Sequence, residues 1–190
     1  MVSVLFARSD SIYKTLPDCD VWDIERDALK WPGGNSIVAH PPCRAWGQLS
    51  HMANPREGEK ELAIWSIDQI RQWGGVLEHP AKSKLWPFLD LPLPGRLDQF
   101  GGFSVWISQF WFGHKADKAT LLYVAGCKPK DLPPIPFILG EPSYVVASTS
   151  KRRPEITKAE REATPLLLAK WLVELAGKCQ KPIDPASKQE

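Results

Sequence analysis

The sequence has no long apolar run. Nothing along its 190 residues approaches the roughly 20 consecutive apolar residues of a membrane span, and the opening MVSVLFARSD carries too short an apolar stretch for a signal peptide. Charge imbalance is also missing. Lys and Arg number 24 against 22 Asp and Glu, a net charge of +2, so the chain has no global basic field of the kind that advertises a strong nucleic-acid binder. Cysteine is sparse: Cys19, Cys43, Cys127 and Cys179 are scattered, with no C-x-x-C and no paired histidine spacing. That pattern argues against a zinc site, and no metal is expected. The simplest expectation is a reduced, intracellular, cytoplasmic protein.

What the sequence does have is 18 prolines and 9 tryptophans on an ordinary background of 43% hydrophobic and 24% charged residues. The length suits one domain with a sizeable core, assigned to residues 1–177, followed by a polar C-terminal tail at 178–190. Most tryptophans are expected in the core. The proline-rich stretches 87–94 and 129–142 interleave large apolar residues and are expected to be ordered loops. Lys151-Arg152-Arg153 is a local basic cluster that reads equally as a binding patch or a solvated loop.

Apolar runs predict strands at Val2–Phe6, Asp20–Asp23, Ser36–Ala39 and Val76–Leu77. Short helical turns are expected over Asp10–Leu16 and Arg26–Trp31. A longer helix is predicted over Glu57–Trp73, with Leu62, Trp65, Ile70 and Trp73 at roughly helical spacing and Gly74-Gly75 closing it. Residues 44–56 read as a polar loop. Phe103–Phe112 alternates and is expected to be a strand whose antiparallel partner is Thr120–Ala125. Thr157-Lys158-Ala159-Glu160 spells a capping box. Thr164-Pro165 reads as an N-cap with proline at the first helical position, opening a helix to Ala176. Repeated strand, helix, strand predicts an α/β fold: a mostly parallel sheet covered by helices, with an antiparallel hairpin at one end.

Ala39-His40-Pro41-Pro42-Cys43 is the most pointed segment. Two prolines fix φ directly after a buried strand and deliver one thiol to the strand's carboxyl end, where open α/β sheets keep their ligand crevices. The plainer alternative is a buried cysteine serving as a small hydrophobe after prolines that merely end a strand. Glu78-His79-Pro80 ends a second strand and should open onto the same edge. Facing each other there, Cys43 could add as a thiolate to an electron-poor ring carbon while Glu78 engages a ring nitrogen. Singly, Glu78 reads equally as a solvated strand-end carboxylate, and His79 more readily as a packing residue.

These segments resemble the DNA cytosine-5 methyltransferase family. Pro41-Pro42-Cys43 matches that family's nucleophile loop in full, and Glu78-His79-Pro80 matches its Glu-Asn-Val motif at the glutamate. Weaker echoes follow in family order: Leu5-Phe6-Ala7 for the start of the cofactor loop, Asp23-Ile24-Glu25 for the acidic turn, Phe112-Gly113 with Lys115 and Lys118 for the Gln-x-Arg-x-Arg region, and Thr157-x-x-Glu160 with Pro165 for the segment before the last helix. The resemblance implies a Rossmann-like, methyltransferase-like catalytic domain with helices on both faces of an open sheet. It implies Cys43 attacking C6 of a flipped cytosine, Glu78 at N3 and the exocyclic amine, and Arg44, His79, Lys115 and Lys118 around the substrate. It further implies S-adenosylmethionine as cofactor, near Phe6, Asp23 and Pro41, and DNA as partner.

The chain departs from the family in three places. Arg8-Ser9-Asp10-Ser11 replaces the glycine-rich cofactor loop. The span Asp23–Pro41 is too short for the family's extra strand and helix. Residues 124–150 leave little room for a large target-recognition domain, so sequence recognition would fall to a protein partner. Such a compact form suits a phage or mobile element. Two other readings stay open: a catalytically inactive relative that binds nucleic acid or a partner protein, and an enzyme acting on a free pyrimidine nucleotide or other small molecule.

Overall fold

The computed structural model describes residues 1–48, 50–147 and 153–181. The chain folds as a mixed α/β protein around one six-stranded sheet. In chain order the strands are β1 (Val2–Leu5), β2 (Cys19–Trp22), β3 (Ile37–Ala39), β4 (Gly75–Pro80), β5 (Phe103–Ser108) and β6 (Ala119–Ala125). In space they run β2-β1-β3-β4-β6-β5. β1 to β4 pair in parallel, and β6 lies antiparallel to both β4 and β5. The helices are α1 (Glu59–Trp73), α2 (Leu85–Phe88), α3 (Lys158–Glu162) and α4 (Leu166–Lys178). No helix among the described residues is long and apolar enough to cross a membrane.

The strand residues alternate between two cores, as a period of two requires. Val4, Val38, Val76 and Val124 join Leu168, Leu172 and Leu175 of α4. Leu5, Ile37, Ala39 and Leu77 join Ala63, Ile67 and Ile70 of α1. Both faces are therefore covered, and the central strands read as continuous apolar runs for that reason. Of the tryptophans, Trp31, Trp46, Trp86 and Trp171 are buried, while Trp106 on β5 is exposed.

Several boundaries differ from expectation. The strand predicted over Phe103–Phe112 stops at Ser108. There the Ser108 hydroxyl accepts from the Phe110 N–H at 3.2 Å, and Gln109–Phe112 coils into a 3-10 turn. The stretch read as a polar loop contains two 3-10 turns, Arg44–Trp46 and Ser50–Met52. Trp46 is buried there, donating through Nε1 to the Lys60 carbonyl at 3.1 Å. Pro165 is the cap of α4 rather than its first residue, while Thr157 and Glu160 form the expected capping box of α3. Past α4, Cys179 is buried and the Gln180 N–H donates to the Gly126 carbonyl at 2.8 Å, so packing continues beyond the expected start of the tail. Gly126 allows this approach: a Cβ there would lie 2.1 Å from the Gln180 oxygen. Lys151, Arg152 and residues 182–190 lie outside the described residues; Arg153 pairs with Glu141 at 2.7 Å.

Candidate functional site

Hydrogen bonding of β3 to β4 in parallel, with Ala39 opposite Leu77, sends His40-Pro41-Pro42-Cys43 and Glu78 out of neighbouring strands in the same direction. The His40 N–H continues the ladder, donating to the Leu5 carbonyl at 3.0 Å. Pro41 is buried and cannot donate, so pairing ends there. Cys43 then opens the turn Arg44–Trp46, with its carbonyl accepting from the Trp46 N–H at 3.0 Å. Arg44 anchors that turn. Its Nε donates to Glu59 Oε1 at 2.6 Å, and the Glu59 side chain is only 3% exposed.

Glu78 is the centre of a polar network on the α4 face of the sheet. Its side chain is 12% exposed. Oε2 accepts from His40 Nδ1 at 3.0 Å. Oε1 accepts from Gln109 Nε2 at 2.9 Å and makes a long contact of 3.5 Å with Thr120 Oγ1. On its far side, His40 Nε2 lies 2.9 Å from the hydroxyl of Tyr13, which is fully buried. Gln109 also donates to Thr120 Oγ1 at 3.1 Å, while its own Oε1 is buried with no partner among the described residues. Burial pushes the Glu78 carboxyl upward. The nearby Lys118 charge and the His40 hydrogen bond outweigh that push and hold the group down at about 2, so Glu78 is a carboxylate at neutral pH.

Cys43 belongs to the same electrostatic neighbourhood. The residue keeps solvent access, yet the protein packed around its sulfur and the charge on Glu78 push the thiol pKa up, while Lys118 pulls it back down. Lys118 therefore acts on both groups. Its backbone is held beside them, its carbonyl accepting from the Gln109 N–H at 3.1 Å and from Thr120 Oγ1 at 3.2 Å. Among the described residues, Glu78 is joined by hydrogen bonds and contacts to His40, Gln109 and Thr120, with Tyr13 behind His40, and of these Tyr13, Gln109 and Thr120 carry no motif signal.

The remaining expected site residues lie elsewhere. His79 follows Glu78 on β4 and so faces the opposite side of the sheet. It is fully buried, edge-on to Trp86 at 6.3 Å, and both its ring nitrogens lack a hydrogen-bond partner among the described residues. Burial pulls its pKa down to about 4. Lys115 pairs with Glu160 of α3, and Arg44 is turned toward Glu59.

Near β1 and β2, Phe6 adopts a left-handed backbone with φ +59° and sets its ring edge-on to Trp65 at 5.9 Å. Asp23 has both carboxylate oxygens engaged. Oδ2 accepts from Lys14 at 2.6 Å, and Oδ1 accepts from the N–H groups of Glu25 and Arg26 at 3.0 and 3.2 Å. An open cleft of about 390 Å³ lies here, lined by Ala7, Arg8, Ser9, Asp10, Ile24 and Glu162. Arg8 spans it in a two-pronged pair with Asp10 at 2.8 Å. None of Phe6, Asp23 and Pro41 lines this cleft. Asp23, the carboxylate that the resemblance assigns to the ribose, is buried and accepts from Lys14 and from two N–H groups of its own turn. No group of side chains among the described residues could hold a metal ion.

The arrangement offers a thiol, an ionised carboxylate, an imidazole and an ammonium at the carboxyl ends of adjacent strands. No protein-family model matches the chain, and a search of curated proteins finds no match either.

Proposed function

We propose that this protein modifies cytosine at C5 through a covalent intermediate, with Cys43 as nucleophile and Glu78 as the group that holds the base. The observation that carries this reading is the parallel pairing of β3 with β4, which sends the Cys43 segment and Glu78 toward the same edge of the sheet. A Rossmann-like sheet with its crevice at the carboxyl ends of the strands suits a planar ligand in that position. The ionised Glu78 accepts from the exocyclic amine of the base, and Lys118 favours the thiolate of Cys43 by direct electrostatic attraction. Attack at C6 moves electron density toward N3 and C5, so that C5 becomes a nucleophile toward a one-carbon group and afterwards loses its proton to a base. A cytosine in duplex DNA must leave the stack first.

A second reading, an enzyme on a free pyrimidine nucleotide, has one observation in its favour. Arg44 and Lys115, the expected phosphate contacts, are paired with Glu59 and Glu160. One experiment covers both. The protein is incubated with a single-stranded oligonucleotide carrying 5-azacytosine, or with 5-azacytidine monophosphate, whose C6 accepts a thiolate without a donor. Denatured protein is then weighed by mass spectrometry. A mass increase with the oligonucleotide that is lost in Cys43→Ala supports the nucleic-acid reading. An increase with the nucleotide alone supports the second. No adduct with either probe sinks covalent base attack.

A further inference from the structure

Cysteine attack at C6 leaves an electron pair on N3 that must be met by a proton. Glu78 is ionised at neutral pH and has none of its own to give. Its Oε1 faces Gln109, an amide N–H that cannot be given up. Its Oε2 faces His40 Nδ1 at 3.0 Å, closer than the Thr120 hydroxyl lies to Oε1 at 3.5 Å, and the imidazole is a group that can itself carry a proton. We propose that His40 is the proton reservoir of this site, supplying N3 of the base through the Glu78 carboxyl group. This rests on the proposed base attack and adds to it a further residue.

The geometry around the imidazole suits both of its charge states. As imidazole, His40 donates from Nδ1 to Glu78 and accepts at Nε2 from the Tyr13 hydroxyl. As imidazolium it donates from both nitrogens, and the same hydroxyl turns to accept. Tyr13 is fully buried, and burial together with the Glu78 charge holds its phenol protonated, so it stays available in either role. Passing the Nδ1 proton to Glu78 leaves the Nε2–H imidazole, which still donates to the Tyr13 hydroxyl, while Nδ1 accepts from the protonated Glu78 carboxyl until that proton moves on to the base. The backbone is equally settled, with His40 bonded to Leu5 in front and locked by Pro41 behind.

The titratable groups facing His40 are Glu78 from β4 and Tyr13 from the turn Ile12–Thr15. Lys118, before β6, and Cys43, on its own segment, act on it through Glu78. His79 lies on the other face of β4. The step balances. The thiolate pair forms the Sγ–C6 bond, the C5=C6 pair becomes C4=C5, and the C4=N3 pair passes to N3, which takes the proton. Imidazolium becomes imidazole. While the enamine stands, C5 takes a proton from water and can release the original one, after which reversal regenerates cytosine and thiolate.

That reversal gives a readout without any donor: release of tritium from [5-³H]cytosine in a single-stranded oligonucleotide, followed against pH. The wild type should give a bell-shaped profile, because the step needs Cys43 as thiolate and His40 as imidazolium at once. His40→Asn, which keeps a donor toward Glu78, should lose about 100-fold in rate and keep only the rising limb, with oligonucleotide affinity within about threefold of wild type. Tyr13→Phe, nearly isosteric, should slow release because imidazolium loses its acceptor at Nε2. A bell retained in His40→Asn, or release at the wild-type rate in Tyr13→Phe, overturns the inference alone. A wild type that releases no tritium overturns it together with the function it rests on.

Discussion

Two neighbouring side chains on β4, Glu78 and His79, have been taken out of water in opposite ways. Glu78 is buried charged with a hydrogen bond on each oxygen, whereas His79 is buried neutral with no hydrogen bond among the described residues. Both carry a pH signature of the same sign. His79 titrates at about 4 when folded against about 6.5 unfolded, so below pH 6.5 the unfolded chain binds a proton that the folded one refuses. Stability should fall by roughly 3 kcal/mol between about pH 6.5 and 4 from this residue. Glu78, at about 2, holds its contribution above its unfolded value and loses it as pH drops further. His79→Phe, which keeps an aromatic ring against Trp86, should flatten the urea midpoint across the upper window and leave the lower one unchanged. Gln109→Leu removes a hydrogen bond to a charged group and should cost about 1.5–3 kcal/mol in chemical denaturation. The same substitution should raise the Glu78 pKa toward the ordinary carboxylate range, visible by carboxyl NMR titration.

Among the elements, the pairing of β3 with β4 decides whether there is a site at all. At its start, Gly75 has φ +137°, and a Cβ there would lie 2.2 Å from the Ile37 carbonyl oxygen. Gly75→Ala should therefore destabilise the fold by about 3 kcal/mol, the upper end of ordinary single substitutions. It should also weaken base attack by parting Cys43 from Glu78, as an adduct assay at low temperature would register. Much of this arrangement is legible in the chain. The strands β1, β3 and β4 are apolar runs, α1 has helical spacing, and Cys43 and Glu78 follow strands directly. What surrounds Glu78 is not legible. Tyr13, His40, Gln109 and Thr120 come from four separate segments, and only sheet pairing and a turn bring them within hydrogen-bond reach. Gln109 is hidden most thoroughly, because the aromatic alternation of Phe103–Phe112 predicts a strand that would carry it past the site. The Ser108 cap turns the chain instead. Lys118 stands out in the sequence as a cation after Gly113, but its neighbour Lys115 looks the same and is drawn away by Glu160.

The whole molecule is a sheet with two apolar faces, closed by helices that come from different parts of the chain. α1 follows β3 directly and covers one face early, whereas α4 supplies Leu168, Leu172 and Leu175 to the other only after all six strands. A chain ending at Thr164 lacks that layer and should give no cooperative thermal transition by circular dichroism while still binding a dye for exposed apolar surface. Full-length protein should melt in a single step. The Gln180–Gly126 hydrogen bond extends this dependence to the last described residues. During synthesis, β1 and β3 emerge from the ribosome long before the helix that will cover them. Val4 and Val38 must wait, bare, through the translation of well over a hundred further residues. The Glu78 carboxylate lies on that same face, so the layer that covers it is also translated after every residue that bonds to it.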